Sequence, residues 1–191
     1  MRDEAPAVLP GHRRSERGVS LLETVVALSV LLVGALGILP LGLVAVSTTE
    51  SEGHLVARAT EYSQDKMEQL LALAYADSTT DTRVFPAPIS GGTGLGGSLA
   101  VGAVVGSSNP AAPVAGYVDY LTATGDTYPV TAMLGTTAPA GWFYKRVWKI
   151  ECPTGTTGIK QVTVTTIVAR RVGGFGIVPR ATMAALKTFP F

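Results

Sequence analysis

The stretch RRSERGVSLLETVVALSVLLVGALGILPLGLVAV, residues 13–46, decides the architecture. It opens on Arg13, Arg14, Glu16 and Arg17, and Gly18 closes the charged part. One acid, Glu23, follows, and residues 24–46 carry no charge. A helix over those residues rises about 34 Å at about 1.5 Å per residue, which matches a hydrocarbon core about 30 Å thick. The run is longer than a secretory h-region, usually about 7–15 residues. The arginines before it predict an N-terminus in the cytoplasm and the remainder outside, by the positive-inside rule. Arg13-Arg14 alone is too weak a signal for twin-arginine export.

Gly34, Gly37 and Gly42 fall inside the run, with Pro40 between them. In water each glycine weakens a helix by about 1 kcal/mol and the proline by about 3 kcal/mol. Membrane helices tolerate both, and small residues let neighbouring helices approach closely. Two readings stay open: ordinary membrane composition, or a segment that packs on copies of itself and unwinds locally.

Working outward, the composition fits a chain with one uncharged segment. Charged residues make up 15% of the sequence, against about 25% in ordinary soluble domains. The formal net charge is +1, so no bulk basic field exists to attract nucleic acid, although a local patch stays open. The one cysteine, Cys152, rules out an intrachain disulfide. Its plain reading is a small apolar residue in a strand. The sharper readings are an intermolecular bridge or a reactive thiol.

Arg17-Gly18 followed by VSLLE resembles the prepilin peptidase site of type IV pilins and type II secretion pseudopilins. The resemblance implies a cut between Gly18 and Val19 and N-methylation of Val19. It also implies a charge-pairing role in assembly for Glu23, the fifth residue of the mature chain. Pro40 falls where many members have a helix-kinking proline. Val19 departs from the usual phenylalanine. A carboxylate at membrane depth is costly unless paired, which marks Glu23 as functional. The amine created at Val19 lies within i,i+4 reach on the same helix, and a neighbouring subunit's amine is an equivalent partner.

Beyond the apolar run, STTESEGHLVARATEYSQDKMEQLLALAY, residues 47–75, keeps a helical period. Val56, Ala59, Ser63, Met67, Leu70 and Ala74 step by three or four along one face, widened by Leu55 and Leu71. Glu52, Arg58, Glu61, Asp65, Lys66, Glu68 and Gln69 are assigned to the remainder. The expected helix runs from about residue 19 to 75, with Gly53 as a bend. SQDKMEQLLALAY resembles the end of this helix in minor pilins of the PilV type.

Residues 77–81 break the helix, and residues 86–116 read as a Gly-rich loop. Gly92-Thr93-Gly94-Leu95-Gly96-Gly97 fits G-x-G-x-x-G, but no strand precedes it and no helix follows, so a dinucleotide site is not inferred. Such a loop also offers a contact surface. Residues 142–152 alternate: Tyr144, Arg146, Trp148, Ile150 and Cys152 share one face, with Lys145, Lys149 and Glu151 opposite. After the turn PTGTTG, Val162, Val164 and Val168 share a face, with Thr163 and Thr165 opposite. This reads as an antiparallel hairpin. Residues 181–191 read as a last strand, and residues 128–134 as a further one. The sheet needs a cover, and the Met67–Leu70 stripe supplies it.

The expected fold is therefore α+β and pilin-like, with one long N-terminal helix packed on a small antiparallel sheet. The expected divisions are a leader at 1–18, a membrane and assembly half at 19–46, an amphipathic half at 47–76, and a β-rich head at 77–191.

Chemistry is sparse. The histidines are His12, in the leader, and His54. They cannot assemble a zinc site with one cysteine, so no metal or cofactor is expected. No G-x-S-x-G, H-E-x-x-H or P-loop occurs, and no catalytic residues are assigned. The resemblance implies a non-enzymatic, low-copy minor pilin of the PilV type. Its partners would be other pilin subunits, the prepilin peptidase and an inner-membrane assembly platform, and its roles motility, adhesion or DNA uptake. The alternatives are a type II secretion pseudopilin, an adhesin-like module presented on a pilus, and an exported enzyme behind a signal anchor.

Overall fold

The computed structural model describes residues 20–84, 89–129, 136–169 and 178–189. Gly18 and Val19 lie outside them. One helix, α1, spans Leu21–Ala72. Ser20 is its N-cap: its hydroxyl accepts the Glu23 N–H at 3.3 Å, and its carbonyl accepts the same N–H at 2.9 Å. Ser20 and Glu23 have the spacing of a capping box, and the acid suits the positive end of the helix dipole. The helix continues through Pro40 without a break. It ends three residues before Tyr75, where Leu73 N–H turns back to Leu70 O at 3.3 Å.

Five strands follow: β1 Val104–Gly106, β2 Val118–Leu121, β3 Tyr144–Glu151, β4 Ile159–Val168 and β5 Arg180–Thr188. The sheet order is β1-β3-β4-β5, and β2 pairs with β3 on the same side as β1. Every pairing is antiparallel. Trp148 stands opposite Val164, and Val164 opposite Met183, which fixes the faces across the sheet. The chain divides into two compact units, Met1–Ala45 and Val46–Phe191.

In the second unit, α1 covers one face of the sheet. Met67, Leu70 and Leu73 pack with Trp148, Ile150, Val162 and Val164, joined by Leu95 and Tyr117. Nearer the start of the unit, Tyr62 packs with Leu121, Tyr144 and Val168. Each fully buried large apolar side chain contributes about 1.5–3 kcal/mol. On the opposite face, Val118, Tyr120 and Val147 lie under Tyr128, Ala138 and Trp142.

The alternation read for β3 is the observed one, since Arg146, Trp148 and Ile150 are buried while Lys145 and Lys149 are only half-buried; in β4 Val162, Val164 and Val168 are buried as read, but Thr165 on the other face is buried too, 3.1 Å from the Thr182 hydroxyl. Cys152 is buried just past β3, and its thiol lies 3.5 Å from Leu99 O. Other expectations need correction. Val56 is 41% exposed and Ala74 is exposed, while Tyr62 and Lys66 take up the buried face. Residues 86–116 hold β1 as well as loop. Tyr128 donates its N–H to Tyr120 O at 3.1 Å but extends no strand. Residues 130–134 lie outside the described residues.

Candidate functional site

The apolar half of α1 is one candidate. Leu21, Leu28, Leu32, Leu36, Leu39 and Leu43 are each at least 60% exposed. α1 is long and apolar enough to cross a membrane, and its most apolar window has no buried residue. A side chain added at Gly34, Gly37 or Gly42 would meet nothing within 4 Å. The small residues therefore form open notches along the exposed helix, of the kind that admit another helix. Glu23 sits in the first turn, at the end of this surface.

The other candidate was not foreseen. Lys66, assigned by sequence to the solvated face, is fully buried. Its ammonium lies 2.6 Å from the Asp119 carboxylate and donates to Thr82 O. It also stands 4.6 Å from the centre of the Trp148 ring. Arg146 holds the same carboxylate with both arms of its guanidinium, at 2.7 Å and 2.8 Å. It also donates to Tyr62 O at 3.4 Å. Helix, β2 and β3 thus meet on one carboxylate between two cations.

Burial pulls the Lys66 ammonium down to about 8, with Asp119 opposing and Arg146 reinforcing that shift. Burial also works to raise Asp119, but the charges of Arg146 and Lys66 outweigh it and hold the carboxyl below its usual range. Close by in sequence, Asp81 pairs with Arg83 at 2.7 Å. The side-chain hydroxyl of Ser63 donates to Thr166 at 2.6 Å. This set is a polar seam between helix and sheet. Among the described residues it contains no nucleophile–base pair. Arg146 borders a cleft of about 580 Å3 with Asp65, Glu68, Gln69 and the loop Gly125-Asp126-Thr127.

Two more lysines close the C-terminal end of α1. Lys187 donates to Leu71 O at 2.5 Å. Lys160 donates to Tyr75 O at 2.7 Å, Leu95 O at 2.9 Å and Gly97 O at 2.5 Å. The last turn of α1 has no base of its own, so β4 and β5 supply the cations that its carbonyl end favours.

The G-x-G-x-x-G run is a packing device. A Cβ on Gly92 would lie 2.2 Å from Asp81 Cα, and Gly94 combines φ +48° with Asp77 2.4 Å away from its would-be Cβ. The glycines let this loop press on the turn that ends α1. His54 is exposed on α1. Among the described residues no group of three or more His, Cys, Asp or Glu side chains is placed to hold a metal.

No family model matches the chain, and no curated protein or solved structure matches it.

Proposed function

We propose that the protein is a minor pilin of the PilV type, a low-copy subunit of a type IV pilus that is cut by prepilin peptidase and assembles through its apolar helix. The observation that carries this reading is the exposed, notched surface of α1 beginning at the Ser20 cap, with Glu23 in its first turn. An isolated chain cannot bury that surface, so lipid must cover it before assembly and neighbouring helices afterwards. The cut after Gly18 creates an amine at Val19. Its charge meets a Glu23 carboxylate, on the same helix or on a neighbour, in a medium where neither charge is tolerated alone. The head then projects from the filament and modifies its assembly or its surface.

N-terminal mass spectrometry of the protein from producing cells tests the reading. It is expected to find a mature chain beginning at methylated Val19, and a start at Met1 or near Ser47 sinks it. In the same cells Glu23→Ala is expected to be cut normally yet absent from sheared filaments. Normal incorporation of that variant would remove the charge-pairing step.

A further inference from the structure

The sheet has two unlike edges. On one side β3 is shared by β1 and β2, only three and four residues long. The other edge is β5, nine residues long and hydrogen-bonded to β4. Among the described residues nothing pairs with the outer side of β5. Its register fixes which main-chain groups stand there. Phe189 N–H donates to Gly158 O at 2.7 Å, and Val168 N–H to Pro179 O at 3.1 Å. Hydrogen-bonded and non-bonded pairs alternate along an antiparallel ladder. Stepping by two between those bonds, Ala181, Met183, Ala185 and Lys187 turn their N–H and C=O groups to β4. Arg180, Thr182, Ala184, Leu186 and Thr188 therefore turn theirs outward, and all of these are exposed.

Long edge strands usually carry a proline, a bulge or a mid-strand charge that turns other strands away. β5 has none of these. Residues 181–186 are uncharged and free of proline, and the pairing with β4 runs residue for residue. Arg180 stands at one end, and Lys187, near the other, is tied to Leu71 O. Ala184 and Ala185 put little bulk beside an approaching backbone. Leu186 is 64% exposed. Past Thr188 the edge meets a cleft of about 350 Å3 lined by Thr157, Gly158, Ile159, Thr188 and Phe189.

We propose that the outer edge of β5 binds an extended, uncharged segment of another protein, which adds a strand to the sheet. The outward groups recur with the two-residue period of a strand. An extended segment satisfies them, whereas a helix, whose main-chain groups bond internally, does not. The middle of the edge offers no charge to pair with, so the segment that fits carries none there. The cleft beyond Thr188 takes an apolar side chain from one end of the segment. The site belongs to the head and does not rest on the pilus reading.

The test uses the full chain in non-ionic detergent and a fluorescent peptide of about ten residues alternating Thr and Val. A control peptide has the same side chains but two adjacent mid-chain nitrogens methylated, so that neither of its edges can pair. The first peptide is expected to bind and the control is not. Ala184→Pro removes an outward N–H and leaves the bonds to β4 in place, and Ala184→Lys sets a charge at mid-edge. Each is expected to weaken binding at least about tenfold. Hydrogen exchange reports the edge itself. In the free chain the N–H groups of Thr182, Ala184 and Leu186 are expected to exchange fast and those of Met183 and Ala185 slowly, and bound peptide is expected to slow the first group. No binding of the first peptide, equal binding of both, or binding indifferent to Ala184→Lys overturns the proposal. Slow exchange of the outward groups in the free chain also overturns it. If dilution then speeds that exchange, a second copy occupies the edge, and if it does not, the chain covers its own edge.

Discussion

Asp119 carries more of the helix–sheet contact than Lys66 does, although the two touch. Removing Asp119 leaves two buried cations facing each other. Removing Lys66 leaves the carboxylate still gripped twice by Arg146. Breaking a buried ion pair by deleting one partner costs about 3–5 kcal/mol, whereas an apolar replacement that leaves no orphan charge is often near neutral. Asp119→Asn is therefore expected to cost about 3–5 kcal/mol and Lys66→Met less than about 1.5 kcal/mol. Urea unfolding of the detergent-solubilised chain followed by tryptophan fluorescence measures both, and equal losses would refute the asymmetry. Lys66 also sets a pH dependence. Folded, it releases its proton at about 8, against 10.5 for a free lysine side chain. Between those values the unfolded chain binds more protons, so the Lys66 contribution makes stability rise with pH there. Below about 8 its destabilising effect is complete and constant. Over pH 8 to 9, below the range where the tyrosines ionise, the urea midpoint is expected to rise less with pH in Lys66→Met than in the unaltered chain. Lys160, whose ammonium burial also lowers, keeps some slope in that variant.

At the scale of elements, the proposed filament assembly would use the notches on α1, which the folding of the head does not. Gly37→Leu fills open space, since nothing lies within 4 Å of its would-be Cβ. It is expected to leave the urea midpoint of the head within about 0.5 kcal/mol of the original, as surface changes do. It is also expected to reduce incorporation into filaments severalfold by blocking close helix approach. A reduced head midpoint with normal incorporation would reverse that assignment. Much of this level is legible in the sequence. The uncharged run, the β3 and β4 alternation and the turn between them follow from periods that local sequence imposes. Lys66 was not legible, because its period places it beside Tyr62, Ser63 and Leu70 but its chemistry argues for solvent. Only Asp119 and Arg146 from distant strands reverse that preference. β2 escaped for a related reason. It is four residues long and buried throughout, so it shows no alternation, and it follows a Gly-rich stretch that reads as loop. Gly106 shows what that stretch was for: its φ is +75°, and a Cβ there would lie 2.3 Å from Trp148 O. β1 can run against β3 at that point only without a side chain.

For the whole molecule, the two units present different surfaces. The second unit buries Trp148, Tyr120, Leu70 and Ile150 completely. The first exposes leucine and valine along the helix from Leu21. Removing detergent is therefore expected to drive the intact chain into large particles by light scattering, while its tryptophan emission stays that of a folded head. A monodisperse chain without detergent would show that the apolar half folds back on its own. The lysines at the end of α1 add a temporal consequence. The helix is synthesised first, yet Leu71 O waits for Lys187, 116 residues downstream. A ribosome must therefore finish β5 before the start of the head can be closed. Chains halted before that strand keep a frayed helix end and an uncovered sheet edge. Such features invite proteolysis, so interrupted copies are expected to be more exposed to it than finished ones.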